Sequence, residues 1–481
     1  MNKPIRRVAV VAMIMFALLL ANGSYAAMFR TQELNENPRN RRARDAEFAQ
    51  DRGAIVAGDE NKTVLAETTE VRDRFKYQRT YPDGELYAAL TGYYSYDHAR
   101  TGLENSYNTE LAGTDDSLFV RRLIDMITNR TPQGASIETT ILPEVQQAAA
   151  EALDGQKGAV VALDPKTGAV LGLVTSPTFD PNEIASHDIS KADKAYQELN
   201  ADKQRPLSNR AAREIYPPGS TFKLVTAAAA LEAGLKPDSK VASPDKLRLP
   251  GTQTDLGNDS NCGGTQITIS QALNVSCNTA FANLGLQLGQ DKLRAQAQKF
   301  GFNQRHLSDL GAAASQFPDD LNGAELALSS IGQFDVAASP LQMAMVTAAI
   351  ANDGVLMDPY LVNTVRGPDL QPISTHRPTE VGATMSPENA RLLKQMMVGV
   401  VTDGTGGRAA IDGFTVGGKT GTAQSDPKRK PFAWFTSFAE VDGKQVAVAV
   451  MIEDADIERN DISGGRLAAP IARDVMKAAL A

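Results

Sequence analysis

Tyr216-Pro217-Pro218-Gly219-Ser220-Thr221-Phe222-Lys223-Leu224 runs into an alanine-rich stretch that ends at Ala233 and is stopped by Gly234. The prolines resist a helix interior and the residues after them favour one, so a helix is expected over residues 221–233 with Ser220 at its N-terminus. Lys223 follows one turn later, and the two side chains can share a face. A serine hydroxyl is a poor nucleophile until a neighbour takes its proton, and a lysine in a partly desolvated cleft loses enough basicity to do so. The positive end of the helix dipole also favours the developing alkoxide. Residues 243–246 and 425–428 match the same S-x-x-K pattern, but each carries an internal proline, Pro244 or Pro427, and neither opens a periodic helix. Context selects Ser220.

Outward from this stretch, residues 144–153 read as an alanine-rich helix. Two apolar runs follow at 158–163 and 169–174, joined by the turn Asp164-Pro165-Lys166-Thr167-Gly168. This is a helix leading into a β-hairpin. Further helices are expected at 268–288 with a central break, at 340–351 and at 468–480, with neighbouring strands at 432–438 and 445–452. Helices enclosed in sequence by strands suggest one sheet with helical cover, an α+β or α/β solution to burying both faces. Upstream, residues 31–136 are polar, contain Arg39, Arg41, Arg42 and Arg44, and are broken by Pro38, Pro82 and several glycines, as in a separate α+β domain. The expected division is therefore 1–29, 30–136 and 137–481. The sequence shows no internal repeat and no long low-complexity tract.

The 481 residues suit two to four domains, and 42% hydrophobic with 22% charged residues is a globular composition. A net charge of −8, from 49 basic and 57 acidic residues, argues against bulk nucleic-acid binding. His98, His187, His306, His376, Cys262 and Cys277 lack zinc-ligand spacing, so no metal and no cofactor are expected. Arg6 and Arg7 precede an uncharged stretch over residues 8–29, long enough to span a bilayer once. An uncleaved anchor is expected; a cleaved signal peptide is the alternative, given Ala26 and Ala27 after the apolar core. Either way the basic residues keep the N-terminus in the cytoplasm and send the remainder across, so a single-pass protein of the cell membrane with extracytoplasmic working domains is expected. In that compartment a Cys262–Cys277 bridge could persist and would contribute about 3 kcal/mol. Free buried thiols are the other reading that spacing leaves open.

Two more motifs carry chemistry. Ser276-Cys277-Asn278 interrupts a helical pattern and places a hydroxyl and an amide in a short connection that can face a cleft. A polar helix cap would look the same, and Ser106-Tyr107-Asn108 shows how readily S-x-N arises. Gly417-Gly418-Lys419-Thr420-Gly421-Thr422 offers a cation, two hydroxyls and glycines that admit another backbone, which suits an extended peptide bearing a carboxylate. Its decoy, Lys166-Thr167-Gly168, is the tip of the early hairpin. Gly413, Gly418, Lys419 and Thr420 also satisfy G-x-x-x-x-G-K-T, the phosphate-loop pattern. Such a loop must open a helix, whereas Gly421, Pro427 and Pro431 follow at once.

Taken in order, Ser220 to Lys223, Ser276 to Asn278 and Lys419 to Gly421 resemble the motif set of the penicillin-binding proteins. The resemblance runs from the anchor to the last helix and includes the glycine-rich residues 402–407 and Ala433-Trp434-Phe435. Arg52-Gly53-Ala54-Ile55 and Gly102-Leu103-Glu104 look like pedestal segments of the monofunctional class B group. Tyr81-Pro82-Asp83-Gly84 and Gly92-Tyr93-Tyr94-Ser95 look most like its actinobacterial penicillin-binding protein A subfamily. The resemblance implies a penicillin-binding transpeptidase domain, with a central antiparallel sheet, helical cover and an all-helical lobe, behind an anchor and an α+β pedestal.

It further implies a D,D-transpeptidase that cross-links peptidoglycan stem peptides ending in D-Ala-D-Ala through a serine acyl-enzyme and is inhibited by β-lactams. By that resemblance Ser220 is the nucleophile and Lys223 its base, and the N–H groups of Ser220 and Thr422 form the oxyanion hole. Ser276 and Lys419 relay a proton to the leaving amine. Asn278 holds the donor amide, and Thr420 with Thr422, beside Gly421, binds the terminal carboxylate. Cys277 stands where the family often has Asp or another polar residue; a bridge to Cys262 would tether the loop of Ser276 and Asn278. Implied partners are the stem peptides and their lipid-linked precursor, the membrane, a membrane-embedded glycan polymerase and division proteins, with no nucleic acid. A D,D-carboxypeptidase or a β-lactamase-type serine hydrolase is the alternative, although no E-x-x-x-N lies between Asn278 and Lys419 to supply a class A deacylating carboxylate. Residues 30–136 are too few for a glycosyltransferase domain plus linker.

Overall fold

The computed structural model describes residues 3–30, 33, 41–128, 133–424 and 429–481. Pro38, Arg39 and the decoy at 425–428 lie outside them. Helix α1, Lys3–Phe29, has no buried residue and is long and apolar enough to cross a membrane. The remaining helices that bear on the site are α2 (Pro143–Leu153), α3 (Lys223–Glu232), α4 (Ile269–Asn274), α5 (Asn278–Leu288), α6 (Pro340–Ala351), α7 (Pro387–Thr402) and α8 (Gly464–Leu480).

The central sheet is built from β1 (Gly158–Leu163), β2 (Val170–Ser176), β3 (Thr415–Ala423), β4 (Phe432–Val441) and β5 (Lys444–Ile452). Its order is β3-β4-β5-β1-β2, antiparallel throughout. The late meander β3-β4-β5 thus docks through β5 onto the early hairpin, and β3 is left at an edge. Successive side chains point to opposite faces. Val160 and Ala162 pack in one cluster with Val145 and Leu153 of α2 and Ala472 and Val475 of α8. Ala159, Val161 and Leu163 pack in the other with Met343 and Val346 of α6. Both faces are covered, so the strand reads as a continuous apolar run without alternation. α6 is buried at every position, which is why its sequence is apolar all round.

The sequence expectation for the hairpin, the broken helix and the two late strands matches these elements. Two details differ. Ser220 lies in a 3-10 turn, Gly219–Phe222, ahead of the α-helix, and the closing helix begins at Gly464 rather than at 468.

The pedestal centres on a six-stranded sheet ordered Pro372–Thr375, Val362–Arg366, Ser136–Thr139, Ile55–Val56, Val64–Glu70 and Tyr77–Thr80. Two of its strands come from far along the chain, and the Ser136–Thr139 strand straddles the boundary expected after residue 136. One apolar cluster joins Ile55, Leu65 and Leu90 to Val161 and Leu173 of the central sheet. The two pedestal segments quoted from the sequence meet in a buried ion cluster: Glu104 lies 2.6 Å from both Arg52 and Arg79.

Candidate active site

The turn carrying Ser220 lies against the end of β3. A Cβ at Gly219, whose φ is +53°, would lie 3.0 Å from both Thr422 O and Ala423 Cβ. One at Gly421 would lie 3.0 Å from Pro218 O and Thr221 Cγ2. Glycine at both positions is what lets the nucleophile turn and the strand approach this closely. Further back along β3, Phe438 and Phe435 cover Gly417 and Gly418, where a Cβ would come within 2.5 Å of each ring.

The helical pattern breaks between α4 and α5, as expected. There Ser276 takes the left-handed conformation, φ +59°, a strained state for a serine. The Cys262–Cys277 bridge is formed, with Cα atoms 5.5 Å apart, and ties this connection to the loop before α4.

Ser276 brings the two lysines together. Lys419 Nζ donates to Ser276 Oγ at 2.8 Å and to Thr420 O at 2.9 Å. Lys223 Nζ donates to Ser276 O and to Asn278 Oδ1, both at 2.7 Å, and lies 3.3 Å from Ser276 Oγ. Both lysines are fully buried and Ser220 nearly so, at 9% exposure. Burial, reinforced by the charge of Lys419, pushes the Lys223 amine well below its ordinary value, against an opposing pull from Asp259. Burial pushes Lys419 down to about 7, again opposed by Asp259. A neutral Lys223 has two N–H groups and one lone pair. Its two closest acceptors use both N–H groups, so the lone pair is left free to take a hydroxyl proton.

Among the described residues no hydrogen bond links Lys223 to Ser220, although the 3-10 turn sets the two residues one turn apart, on the same side. Catalytic hydrogen bonds often tighten only when substrate is bound. Thr420 Oγ1 lies 2.7 Å from Thr405 Oγ1, and Thr422, on the edge strand, is partly exposed. Because Lys419 and Thr420 lie within a β-strand and open no helix, the phosphate-loop alternative is overturned. Two residues at the site escaped the motif reading. Thr405 sits inside the glycine-rich 402–407 stretch, which could have signalled it. Asp259 sits in the polar run 258–261, whose local pattern says nothing of the lysines.

An edge strand beside a serine turn, with two amines of lowered basicity converging on a second serine, defines a serine acyl-transfer site on a penicillin-binding fold. The penicillin binding protein transpeptidase domain family matches residues 158–477, and the penicillin binding protein A dimerisation domain family matches residues 52–137. The chain belongs to the penicillin-binding protein transpeptidase family. It is 44% identical to the peptidoglycan D,D-transpeptidase PbpA of Mycolicibacterium smegmatis, covering 100% of this chain and 99% of that one. To PbpA of Mycobacterium tuberculosis it is 41% identical at the same coverage. Among solved structures, the ceftriaxone acyl-enzyme complex of M. tuberculosis penicillin-binding protein A matches with a TM-score of 0.87 and 40% identity, over 91% of this chain and 100% of that one. The more distant penicillin-binding protein 3 of M. tuberculosis matches with a TM-score of 0.74 and 28% identity, over 89% and 95%.

Proposed function

We propose that this chain is a peptidoglycan D,D-transpeptidase that works through a serine acyl-enzyme and is acylated by β-lactams. The observation that carries the reading is the Ser276 hydroxyl held between Lys223 and Lys419, beside the Ser220 turn and the open edge of β3. An edge strand has unpaired backbone groups, so an extended stem peptide can add to it as a further strand.

In this reading Ser220 Oγ attacks the carbonyl of the penultimate D-Ala and its proton passes to the lone pair of Lys223. The N–H groups of Ser220 and Thr422 hold the oxyanion. Collapse expels the terminal D-Ala, whose nitrogen receives a proton relayed from Lys223 and Lys419 through Ser276. Asn278 binds the donor amide, and Thr420 with Thr422, beside Gly421, receives the terminal carboxylate. The amine of a second stem peptide then attacks the acyl-enzyme, forming the cross-link and returning the proton to Ser220. A Lys223 amine pushed well below its ordinary basicity by burial and a Lys419 poised near 7 suit acceptance and relay of a proton.

α1 acts as a single membrane anchor with Arg6 and Arg7 on the cytoplasmic side, which sends outside the cell membrane both the pedestal, residues 30–136 with the strands Ser136–Thr139, Val362–Arg366 and Pro372–Thr375 that complete its sheet, and the transpeptidase, the rest of 137–481. There the enzyme meets its lipid-linked precursor and stem peptides, and the pedestal serves as the surface for a membrane-embedded glycan polymerase and division proteins. Labelling with a fluorescent penicillin tests the central claim: the native chain is expected to carry a covalent adduct and Ser220→Ala none. An adduct that survives the substitution refutes the nucleophile.

A further inference from the structure

The loop tied down by the disulfide carries one carboxylate beside the two amines. Asn278 Nδ2 donates to Asp259 Oδ2 and to Gly257 O, both at 3.3 Å, while its Oδ1 accepts from Lys223 at 2.7 Å. The amide is therefore oriented from both sides, because Gly257 and Asp259 offer only acceptors and Lys223 offers N–H. Residues on either side of Asp259 are pinned. Asn258 Oδ1 accepts from Thr279 N at 2.9 Å and its Nδ2 donates to Thr279 Oγ1 at 3.1 Å. Ser260 Oγ donates to Val275 O at 3.1 Å, and the bridge at Cys262 follows. Asp259 itself is exposed and, among the described residues, forms no ion pair. The charges acting on Lys223 are Lys419 and Asp259, and the one acting on Lys419 is Asp259.

We propose that Asp259 is a positioning residue of the acylation machinery: its carboxylate keeps the Asn278 oxygen turned onto Lys223 and offsets the repulsion between Lys223 and Lys419. The proposal rests on the transpeptidase reading for its meaning in catalysis, but its charge acts on the lysines whether or not acylation occurs. Asp259→Asn keeps the shape and an acceptor oxygen while removing the charge; Asp259→Ala removes both. Without the carboxylate each ammonium loses its favourable partner, so both amines give up their protons at lower pH.

The experiment uses the full chain carrying lysine labelled with carbon-13 at Cε. Lys419 is titrated by nuclear magnetic resonance, its signal assigned by its loss in Lys419→Arg, and benzylpenicillin acylation is measured against pH in parallel. In Asp259→Asn the Lys419 midpoint and the acidic limb of the acylation profile are both expected to move to lower pH. In Asp259→Ala the plateau rate should fall by a further factor of about 10, as the Asn278 amide loses an orienting acceptor. Asp259→Glu should recover both. A Lys419 midpoint unchanged in Asp259→Asn overturns the electrostatic role, and equal plateaus in the Asn and Ala variants overturn the orienting role. A wild-type chain that is not acylated counts against the transpeptidase reading instead, and the Lys419 titration still decides the role of Asp259.

Discussion

Replacing Lys419 with methionine should stabilise the fold while destroying the activity. The folded protein holds this amine fully buried, and burial lowers its pKa from 10.5 to about 7. The unfolded chain keeps the proton up to its ordinary value, so between pH 7 and 10.5 the unfolded state binds more protons and stability rises with pH. The gap corresponds to ~5 kcal/mol of stability missing at pH 7 and recovered by the upper end of that window. Methionine does not titrate and fills a similar volume. It forgoes the hydrogen bonds to Ser276 Oγ and Thr420 O, worth about 1 kcal/mol each. The net expectation is that Lys419→Met gains ~3 kcal/mol at pH 7 and that the gain vanishes or reverses near pH 10.5. Denaturant unfolding followed by the fluorescence of Trp434, the single tryptophan, fully buried in β4, reads the transition from inside the sheet. A variant no more stable than wild type at pH 7, or one whose advantage does not shrink as pH rises, would refute the claim that burying this amine costs stability near neutral pH. Acylation by penicillin should fall at least about 100-fold, the loss that accompanies removal of a group taking part in proton transfer.

Ser276→Ala removes the hydroxyl between the amines but leaves Lys223 its bonds to Ser276 O and Asn278 Oδ1. Acylation should drop about 100-fold with the fold intact, and a rate within threefold of wild type would exclude a relay through this hydroxyl. Reducing the Cys262–Cys277 bridge unties the connection that carries Ser276 and Asn278 from the loop that carries Asp259. Slower β-lactam acylation is expected, and equal rates with and without reductant would show that the bridge has no part in the chemistry.

The motif residues could be found from the sequence because short-range geometry constrains them. Ser220 and Lys223 are fixed by one turn and the start of a helix, Ser276 and Asn278 by a break between two helices, and Lys419 by a glycine-rich strand. Their convergence on one point is a tertiary fact, visible beforehand only through resemblance to a family. The residues that escaped act across long separations without a local pattern: Asp259 reaches Asn278 from a polar loop, and Thr405 meets Thr420 across the turn after α7. The pedestal shows the same limit, since Val362–Arg366 pairs with Ser136–Thr139 and no composition shift near either strand announces the partnership.

These long-range contacts also explain why the site can hold two amines so close together. Folding buries Lys223 and Lys419 completely, at a desolvation cost that neither bears in water, and the surrounding structure must supply it. The supply is visible in the close approach of the Ser220 turn to β3, in the bridge behind Cys277, and in α6, buried on every side beneath the sheet. Loosening any of these should let water reach the amines and return them toward ordinary basicity. A destabilised scaffold would then lose acylation near neutral pH because Lys223 holds its proton, even with every motif residue in place.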